Sequence, residues 1–479
     1  MCANQVLVVN GRKINSYALT LEAANYYKKL NYEVSYLDLN IYQNFFSRLT
    51  RLRNSILKNN DIEIIKVKNK LILTLNSAFL AMQWYLCAIR QSDPWKFSLN
   101  NSKLEIGRLV RSLIARTMGT GNFTLKECSK IQVFDIVLKL YVSYFRTLIA
   151  IDNNSSPIDL GIAHGGRDSF SAGAVSALRE RNIKVRLVES GGIVSNWTNF
   201  ETSPHYSPDF WSRLKNVDLA KPSRKIEIIE AWWSDRIRGS DHFRGEEWSH
   251  SRNPGELPLN LPCEFISFFT TSDFEIPVFN DFEIVPGKYK NQFDALEELY
   301  RLANEKGIHI VVRRHPNSVD WKGQDREAKL WEKFIQIPNL TYIGPNEKID
   351  SIELARRSSQ VFTFKSSVGI EAIWLGVPSF ALGPARWSWL EELRVWDEDK
   401  LNKVLLSKPQ VSKDHAIRWA TMMIEMDNPN DLFVSISGNC AQFSKRNIHI
   451  LRIDNVVERV LIQMLFSLQY IKTKLIKIT

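Results

Sequence analysis

Cysteine is scarce and scattered in this sequence. No CxxC or Cys/His pair occurs, which argues against a disulfide framework and against the usual zinc sites. A basic segment followed by a cleavage site is also missing from the N-terminus, where residues 5–10 have the composition of a buried strand. We therefore expect a protein of the reducing cytoplasm. The sequence has five cysteines in all: Cys2, Cys87, Cys128, Cys263 and Cys440.

Recognisable repeats and low-complexity tracts are absent as well. The 63 lysines and arginines outnumber the 52 acidic residues, giving a net charge of +11, but they are dispersed along the chain. An excess of this kind suits an anionic partner, which could be a nucleotide sugar, a charged glycan or the acidic inner leaflet of a membrane. Because no nucleic-acid-binding motif accompanies the basic residues, we expect no nucleic-acid partner.

A chain of 479 residues is too long for one ordinary core, so two or three domains are expected. The order strand, helix, strand over residues 5–39 opens a doubly wound α/β domain. The clearest linker is the turn-forming segment NPGELP at residues 253–258. The predicted domains are a Rossmann-like N-terminal domain over 1–252 with a helical insertion at 41–150, a second domain over 253–410, and a C-terminal helical extension over 411–479.

Two apolar segments of the insertion raise the question of membrane contact. Residues 71–89 carry no formal charge and approach the length of a membrane span, but their polar side chains favour a buried or interfacial helix. Residues 131–151 are similarly apolar but contain charged residues. A helix of that kind can lie on an anionic bilayer or pack on its neighbours, and the pattern leaves both alternatives open.

A cluster of basic and imidazole side chains follows one predicted buried strand. The strand at residues 309–312 runs into Arg313, Arg314, His315, Pro316 and Asn317. Proline disfavours the helical conformation for the residue before it, so His315 is held extended at the end of the strand. Side chains alternate along a strand, so only one of the two arginines is expected to point inward. We predict that this cluster binds a phosphate; the alternative for the arginines is an exposed basic rim.

A second cluster follows the apolar run at residues 361–364. Lys365, Ser366 and Ser367 precede a helical pattern that contains Gly369 and Glu371. A serine at such a position can cap the helix, and the free N–H groups there attract anions. We expect Gly369 to let a ligand approach the backbone and Glu371 to accept hydrogen bonds from a ribose. The alternative is that the serines only cap the helix and that Glu371 offsets its dipole.

The two clusters together resemble a known family. The motifs RRHPN and KSSVGIEAIWLGVP, joined by YIGPNEKIDSIELARRSSQVFTF, are similar to the capsule polysaccharide biosynthesis family of bacterial glycosyltransferases. That family includes Kdo transferases and shares its HP and SS motifs with bacterial polysialyltransferases. The resemblance is strongest over residues 263–387 and fainter over 159–211. It implies a GT-B-like fold with two Rossmann-like domains facing a cleft, and it implies that His315, Pro316, Ser366 and Ser367 contact the donor nucleotide.

Further donor contacts are expected from Thr271 and Ser272, which end a third apolar run at residues 265–269. In open α/β sheets, strand ends of this kind line the crevice in which ligands bind. The full set of predicted donor-binding residues is Arg314, His315, Pro316, Asn317, Lys365, Ser366, Ser367, Glu371, Thr271 and Ser272.

Glycosyl transfer also needs a general base, because the acceptor hydroxyl loses its proton as it attacks. The first half of the chain offers Glu189, Asp168 and His205 for this role, and we favour the two carboxylates. Glu189 could instead form an ion pair with Arg167 or Arg186, and Asp168 could cap the following helix.

The sequence thus predicts a glycosyltransferase that moves a sugar from a nucleotide donor to a capsular or surface polysaccharide or a glycolipid. A CMP-activated acidic sugar such as Kdo fits the resemblance best. No cofactor and no obligatory metal are expected, because the acidic run Asp397, Glu398 and Asp399 does not follow an apolar strand. The alternatives are a glycerol-phosphate polymerase that uses a CDP-alcohol, a nucleotide-sugar epimerase, which should act without an acceptor, and a non-catalytic component of polysaccharide assembly or export. The expected location is cytoplasmic, with peripheral contact to the inner membrane face left open.

Overall fold

The structure is a computed structural model. It describes residues 5–10, 14–39, 57–59, 62–65, 67, 70–99, 104–118, 123–165, 168–190, 196–201, 207–217, 226–238, 254–271, 289, 291–318, 324–437, 440–443 and 446–448.

Strands and helices alternate through most of the described chain. The strands are β1 (Gln5–Asn10), β2 (Glu33–Asp38), β3 (Glu63–Ile65), β4 (Leu160–His164), β5 (Lys184–Ser190), β6 (Asn196–Phe200), β7 (Ile266–Phe269), β8 (Ile310–Arg313), β9 (Leu340–Ile343), β10 (Gln360–Thr363), β11 (Ser379–Ala381), β12 (Asp427–Pro429), β13 (Phe433–Ser437), β14 (Cys440–Phe443) and β15 (Arg446–Ile448). The helices are α1 (Ile14–Lys29), α2 (Lys70–Ala88), α3 (Ile106–Met118), α4 (Lys130–Asp152), α5 (Ser169–Glu180), α6 (Ser207–Lys215), α7 (Ile226–Arg238), α8 (Gln292–Glu305), α9 (Gln324–Glu332), α10 (Ser351–Arg357), α11 (Val368–Trp374), α12 (Glu398–Ser407) and α13 (Asp414–Met426).

The chain divides into two compact units. Unit 1 comprises Met1–Ile114, Phe123–Val185 and Asp431–Thr479, and unit 2 comprises Ala115–Asn122 and Arg186–Asn430. The domain ranges expected from the sequence, 1–252, 253–410 and 411–479, stay predictions.

Unit 1 contains a parallel sheet in the order β3-β2-β1-β4. Every residue of β1 is buried, as expected for a central strand covered on both faces. Helices α1 and α5 pack on this sheet, and α4 packs on α5. The approach of α4 to α5 is close because Gly173 has no side chain; a Cβ there would lie 2.4 Å from the carbonyl oxygen of Leu140.

The end of the described chain returns to unit 1 as a small antiparallel sheet of β13, β14 and β15. The buried carboxylate of Glu22 on α1 fixes the backbone just before β13. It accepts hydrogen bonds from the backbone N–H groups of Asp431 (2.9 Å) and Leu432 (2.8 Å). The helical prediction for 411–479 holds for α13 but missed strands β12 to β15. The polar–apolar alternation in FVSIS at β13 is the strand signal that was overlooked. The predicted helix at 456–474 lies outside the described residues.

Unit 2 is built on a five-stranded, all-parallel sheet in the order β11-β10-β7-β8-β9. Alternate residues of each strand enter different cores. Phe268, Val312 and Phe362 pack with residues of α8, α9 and α12, while Val311 and Val361 pack with residues of α10 and α11. The sheet is therefore covered by helices on both faces, which is why most residues of its strands are apolar.

The tryptophan-rich segments of unit 2 belong to its core. Trp233 of α7 stacks on Trp374 of α11, with ring centroids 5.4 Å apart, and its indole N–H donates to the carbonyl oxygen of Ala416. Phe210 of α6 stacks on Trp419 of α13. These contacts anchor α6 and α7 to the helices of the second half of the chain. Unit 2 also contains an antiparallel arrangement of strands. Residues 187–190 of β5 pair with β6, and β6 pairs with β12.

The predicted α/β class is confirmed, because each unit has its own parallel sheet flanked by helices in the Rossmann-like manner. The GT-B-like arrangement of the two halves about a cleft stays a prediction. Helices α2, α3 and α4 lie in the range predicted as a helical insertion. None of the helices in the described part of the chain has both the length and the hydropathy that crossing a bilayer requires.

Candidate functional site

The candidate site lies at the carboxyl edge of the unit 2 sheet. Thr363, Phe269 and Arg313, the last residues of β10, β7 and β8, are in register across the three strands. Because the strands are parallel, the segments that follow them leave the sheet at the same edge. Adjacent strands are about 4.8 Å apart, so the ends of β10 and β8 are separated by about 10 Å. The two clusters singled out in the sequence, which begin after Thr363 and at Arg313, therefore lie along one edge.

The turn that carries His315 is held by hydrogen bonds to its backbone. The His315 N–H donates to Oγ1 of Thr270 at 2.9 Å, and the His315 carbonyl oxygen accepts from the hydroxyl of Ser318 at 2.8 Å. Thr270 in turn donates its N–H to the carbonyl oxygen of Arg313. These bonds join the ends of β7 and β8. Thr270 was not among the predicted site residues, although it stands next to Thr271 in the same hydroxyl-rich segment.

The imidazole of His315 is neutral at pH 7. Burial, helped by the positive charge of Arg313, lowers the pKa of His315 to about 4. A neutral imidazole still has one N–H to donate. An imidazole can bind a phosphate as an imidazolium or through a neutral N–H, and the lowered pKa of His315 favours the neutral form.

Both arginines before His315 are buried, so the alternative of an exposed basic rim is wrong, but their surroundings differ. The Arg313 side chain is fully buried, and its guanidinium donates to the carbonyl oxygens of Gly344 and Glu347 in the loop after β9. Burial lowers the pKa of Arg313 to about 10, so it stays charged at neutral pH. Arg313 therefore braces a loop. Arg314 donates to the Tyr342 hydroxyl at 3.3 Å and lies over the Trp331 ring, and its donor-binding role stays a prediction.

The serine pair differs from a simple N-cap. Ser367 occupies the cap position of α11 with helical backbone angles, and its side chain makes no capping hydrogen bond. The local bond comes from Ser366, whose Oγ accepts from the N–H of Val368 at 3.3 Å. The Ser366 carbonyl oxygen accepts from the indole N–H of Trp387 at 2.9 Å. The hydroxyl that bonds to the backbone at the start of α11 is therefore that of Ser366, and the bond is weak.

An arginine that the sequence analysis missed meets this cluster. Arg236, on α7, donates to Oε1 of Glu371 through Nη2 (2.7 Å) and Nε (3.0 Å). The same Nη2 lies 3.4 Å from the hydroxyl of Ser367, which itself lies 3.4 Å from Glu371 Oε1. Arg236 is 135 residues away from Glu371 in the chain, and no local pattern links the two. Arg236 thus occupies one of the two carboxylate oxygens of Glu371. The ribose contact expected of Glu371 stays a prediction.

Gly369 has a packing role that differs from the expected one. A Cβ at this position would lie 2.1 Å from a ring carbon of Trp387, so the indole fills the space beside the backbone. The expectation that Gly369 admits a ligand is therefore wrong in this structure. Glycine is required here because the Trp387 ring lies against α11.

The structure describes only some of the remaining predicted donor-binding residues. Thr271 is buried, and its N–H donates to the side chain of Gln292 at 3.0 Å. Lys365 is half-buried next to Ser366, and Pro316 begins a short turn of 3-10 helix. Ser272, His205 and the side chain of Asn317 lie outside the described residues. The donor-binding roles of all these residues stay predictions.

Asp168, in unit 1, caps α5, the alternative that its sequence position allowed. Its Oδ1 accepts from the N–H groups of Phe170 and Ser171, both at 3.0 Å, and its Oδ2 accepts from the Ser171 hydroxyl at 2.7 Å. His164 Nδ1 lies 3.8 Å from Oδ2. Burial by itself raises the pKa of Asp168, but the interactions with His164 and Ser171 outweigh it and hold the pKa below its ordinary value. A carboxylate so stabilised is a weak base.

Glu189 lies in unit 2 on β5, buried and opposite Thr198 of β6. Arg186, one of its two suggested ion-pair partners, pairs instead with Glu201 at 2.6 Å. The other suggested partner, Arg167, lies outside the described residues. The catalytic roles of Glu189, Asp168 and His205 stay predictions.

The acidic run at Asp397 has structural roles. Asp397 caps α12 by accepting from the Lys400 N–H at 2.8 Å, and Glu398 pairs with Arg301. Within the described ranges there is no group of three or more His, Cys, Asp and Glu side chains that could hold a metal ion. The expectation that no metal is obligatory stays a prediction.

No protein-family model matches the chain, and no curated protein matches it. Solved structures to which it is similar include the β-Kdo 2,4-transferase KpsC of Thermosulfurimonas dismutans, at 14% identity over 55% of this chain and 87% of that one, with a TM-score of 0.36. The UDP-GlcNAc 2-epimerase of Neisseria meningitidis bound to UDP-GlcNAc is similar at 11% identity over 88% and 98% of the chains, with a TM-score of 0.29. The calicheamicin glycosyltransferase CalG4 is similar at 12% identity over 89% and 95%, with a TM-score of 0.27. With TM-scores this low, the similarities carry no argument about the family or the activity of this chain.

Proposed function

We propose that this chain is a nucleotide-sugar-dependent glycosyltransferase whose donor site lies at the carboxyl edge of the unit 2 sheet. The observation that carries the proposal is the register of β10, β7 and β8, which aligns the Ser366 segment, Thr270 and His315 along one edge. These residues are separate in the chain and share the chemistry of anion binding. Ligands of open parallel sheets bind at this edge.

The proposed donor site combines hydrogen-bond donors with positive charge. The neutral N–H of His315 and the hydroxyls of Ser366 and Ser367 donate to phosphate oxygens, and Lys365 supplies charge. Donors held in place before the reaction stabilise the negative charge that develops on the departing phosphate. Arg236 adds a guanidinium beside Ser367. A guanidinium matches the geometry of phosphate oxygens better than an ammonium group does.

Glu189 is the preferred general base of this proposal. Both oxygens of Asp168 accept hydrogen bonds in the cap of α5, and its pKa is lowered. The donor is proposed to be a CMP-linked acidic sugar such as Kdo, because a monophosphate leaving group needs a single anion pocket. The acceptor is a capsular or surface polysaccharide or a glycolipid.

Nucleotide binding is the direct test. A ligand raises the melting temperature only if it binds the folded form, so CMP, CDP and UDP are compared in a thermal-shift panel. CMP is expected to stabilise the protein most. The variants His315→Ala and Ser366→Ala are expected to lose most of the CMP-induced shift. His309→Ala and Ser359→Ala are the matched controls, because these residues precede β8 and β10, at the opposite ends of the same strands.

Nucleotide release then separates the reaction classes. CMP-Kdo, CMP-sialate, CDP-glycerol and UDP-sugars are each supplied with a glycan acceptor, and the freed nucleotide is measured. Acceptor-dependent release of CMP from a CMP-sugar is the expected outcome. Release from CDP-glycerol would instead support the glycerol-phosphate polymerase. A chain that binds none of the nucleotides, and whose His315→Ala variant supports normal polymer synthesis in cells, would contradict an enzymatic role.

A further inference from the structure

Helix α2 in unit 1 exposes a stripe of large apolar side chains. Ile72, Leu75, Phe79 and Leu86 have relative exposures of 59%, 55%, 71% and 44%. Their spacing of three, four and seven residues places them on one side of the helix. At 1.5 Å per residue the stripe is about 21 Å long. It is a surface of large apolar side chains that the described part of the chain leaves exposed.

The opposite side of α2 is packed in the ordinary way. Ser77, Ala81, Trp84 and Ala88 are each fully buried, and α2 packs against α4. The indole N–H of Trp84 donates to the carbonyl oxygen of Phe97 at 3.2 Å. The helix is thus anchored by one face, and the orientation of its exposed stripe is set by that anchor.

The charged residues that flank α2 in the sequence are mostly positive. Residues 71–89 carry no formal charge, and the flanking sequence has Lys66, Lys68 and Lys70 before it and Arg90 and Lys96 after it. Between residues 66 and 96 the only acidic residue is Asp93. Basic residues therefore flank the apolar stripe in the sequence at both ends of α2.

This charge pattern disfavours two occupants that the protein itself could supply. A second copy of the chain would bring basic ends together whether the two helices ran parallel or antiparallel, and like charges in contact oppose association. The C-terminal segment of this chain, residues 449–479, is also basic, with five lysines and arginines against two acidic residues. An anionic occupant is the one that the charge complements.

A bilayer fits this surface better than an acidic protein does. Asn76 and Gln83 are the polar side chains on the outer side of α2, and no charged side chain occurs there to specify a protein partner. A membrane surface requires only apolar area and nearby positive charge. We propose that the stripe Ile72, Leu75, Phe79 and Leu86 docks on an anionic lipid bilayer, with α2 lying in the plane of the membrane surface.

Vesicle flotation of the full chain tests this docking surface. The probes are vesicles of phosphatidylcholine alone and of phosphatidylcholine with phosphatidylglycerol at about 70:30, each at low and high salt. The chain is expected to float with the anionic vesicles and to dissociate as salt screens the basic flanks. Phe79→Asp and Leu75→Asp are each expected to weaken binding about tenfold or more. Leu406→Asp is the matched control, since Leu406 is an equally exposed leucine at 66% on α12 of unit 2.

The outcomes separate the possible occupants. Equal flotation of the wild type and Phe79→Asp would overturn the proposal. So would a wild type that binds neither vesicle, which would leave an acidic protein as the occupant. A wild-type dimer that Phe79→Asp converts to a monomer, without vesicle binding, would assign the stripe to a second copy. Melting temperatures of all variants verify that they are folded. If one aspartate variant does not fold, the other variant and the salt dependence of the wild type decide the question.

Discussion

At the scale of single residues, Arg236 connects a helix of the tryptophan-rich segment to the predicted donor cluster. Its guanidinium engages Glu371, whose side chain is 10% exposed, while Arg236 itself is 25% exposed. A carboxylate with so little access to water depends on its hydrogen-bonded partner. The pair therefore contributes to stability and also determines where the charge beside Ser367 lies.

We expect Arg236→Ala to destabilise the protein by about 1–3 kcal/mol, because it leaves the Glu371 carboxylate without its guanidinium. Urea unfolding measures the loss. The double variant Arg236→Ala/Glu371→Ala should lose less than the sum of the single variants, by about 1 kcal/mol or more. Arg236→Lys keeps the positive charge but loses the planar set of guanidinium N–H donors. The affinity of this variant for CMP is therefore expected to lie between the affinities of the wild type and of Arg236→Ala. If the loss in the double variant equalled the sum of the losses in the two single variants, the two side chains would not be coupled.

His315 makes stability depend on pH in a defined window. Its pKa is about 4 in the folded protein and about 6.5 in an unfolded chain, so between these values the unfolded chain binds the additional proton. Stability is therefore unaffected above about pH 6.5 and falls as the pH drops toward 4. At pH 5 we expect a loss of about 1–2 kcal/mol from this group.

The measurement is urea unfolding of the wild type and of His315→Asn at pH 7.5 and pH 5. The variant has no imidazole at this position, so its stability should fall less between the two pH values than that of the wild type. An identical loss in both proteins would show that the titration of His315 does not influence folding.

At the scale of elements, α11 is positioned by its contact with Trp387. The indole lies where a side chain at position 369 would be, and it also donates to the Ser366 carbonyl. The Trp387 ring thus supports both the start of α11 and the segment before it.

We expect Gly369→Ala to destabilise unit 2 by about 1–3 kcal/mol, because the new methyl group overlaps the Trp387 ring. Trp387→Phe in the same chain should recover part of that loss by making room. Gly344→Ala is the control, since its Cβ would lie 3.3 Å from the carboxylate end of Glu347 and 3.9 Å from a ring carbon of Tyr342, without overlap. The free energies of unfolding of the four proteins are compared. If Gly369→Ala left the free energy of unfolding unchanged, the indole of Trp387 would have to move aside at little cost.

Arg313 joins two other elements, β8 and the loop between β9 and α10. Replacing it with methionine removes the donors of the Gly344 and Glu347 carbonyl oxygens. We expect Arg313→Met to destabilise the protein by about 2–3 kcal/mol. Arg356→Met is the surface control, since the exposed pair of Arg356 with Glu353 should contribute less than about 1 kcal/mol. Equal effects in urea unfolding would argue against the bracing role.

At the scale of the whole molecule, the proposed donor site belongs to unit 2 alone. Bound CMP is therefore expected to slow amide hydrogen exchange in residues 266–271, 310–318 and 363–371, where three strands end. Exchange in β1, β2 and β4 of unit 1 should be unchanged. Hydrogen-exchange mass spectrometry with and without CMP measures both regions. Protection confined to unit 1 would place the nucleotide elsewhere.

Local patterns were sufficient to predict the α/β class and to single out the two polar clusters of the candidate site. The apolar runs at β8 and β10, each followed by an abrupt polar cluster, predicted strands that end in the candidate site, and the structure has both strands. The cap made by Asp168 was foreseen only as the alternative to a catalytic role, and it could be foreseen because a cap is a local arrangement. Arg236 and the role of Trp387 at Gly369 were missed, because each contact joins segments that are distant in the chain or that meet only when helices pack.

The sequence alone determined the α/β class, since the periodicity of apolar residues decides which segments become buried strands and which become amphipathic helices. It also determined the chemistry of the two clusters and the absence of charge over residues 71–89. Tertiary structure decided the neighbours of those side chains. Register across parallel strands aligned the ends of β10, β7 and β8, helix packing brought Arg236 to Glu371, and the burial of one face of α2 left the other face exposed. These outcomes depend on contacts between residues far apart in the chain, and a local pattern does not encode them.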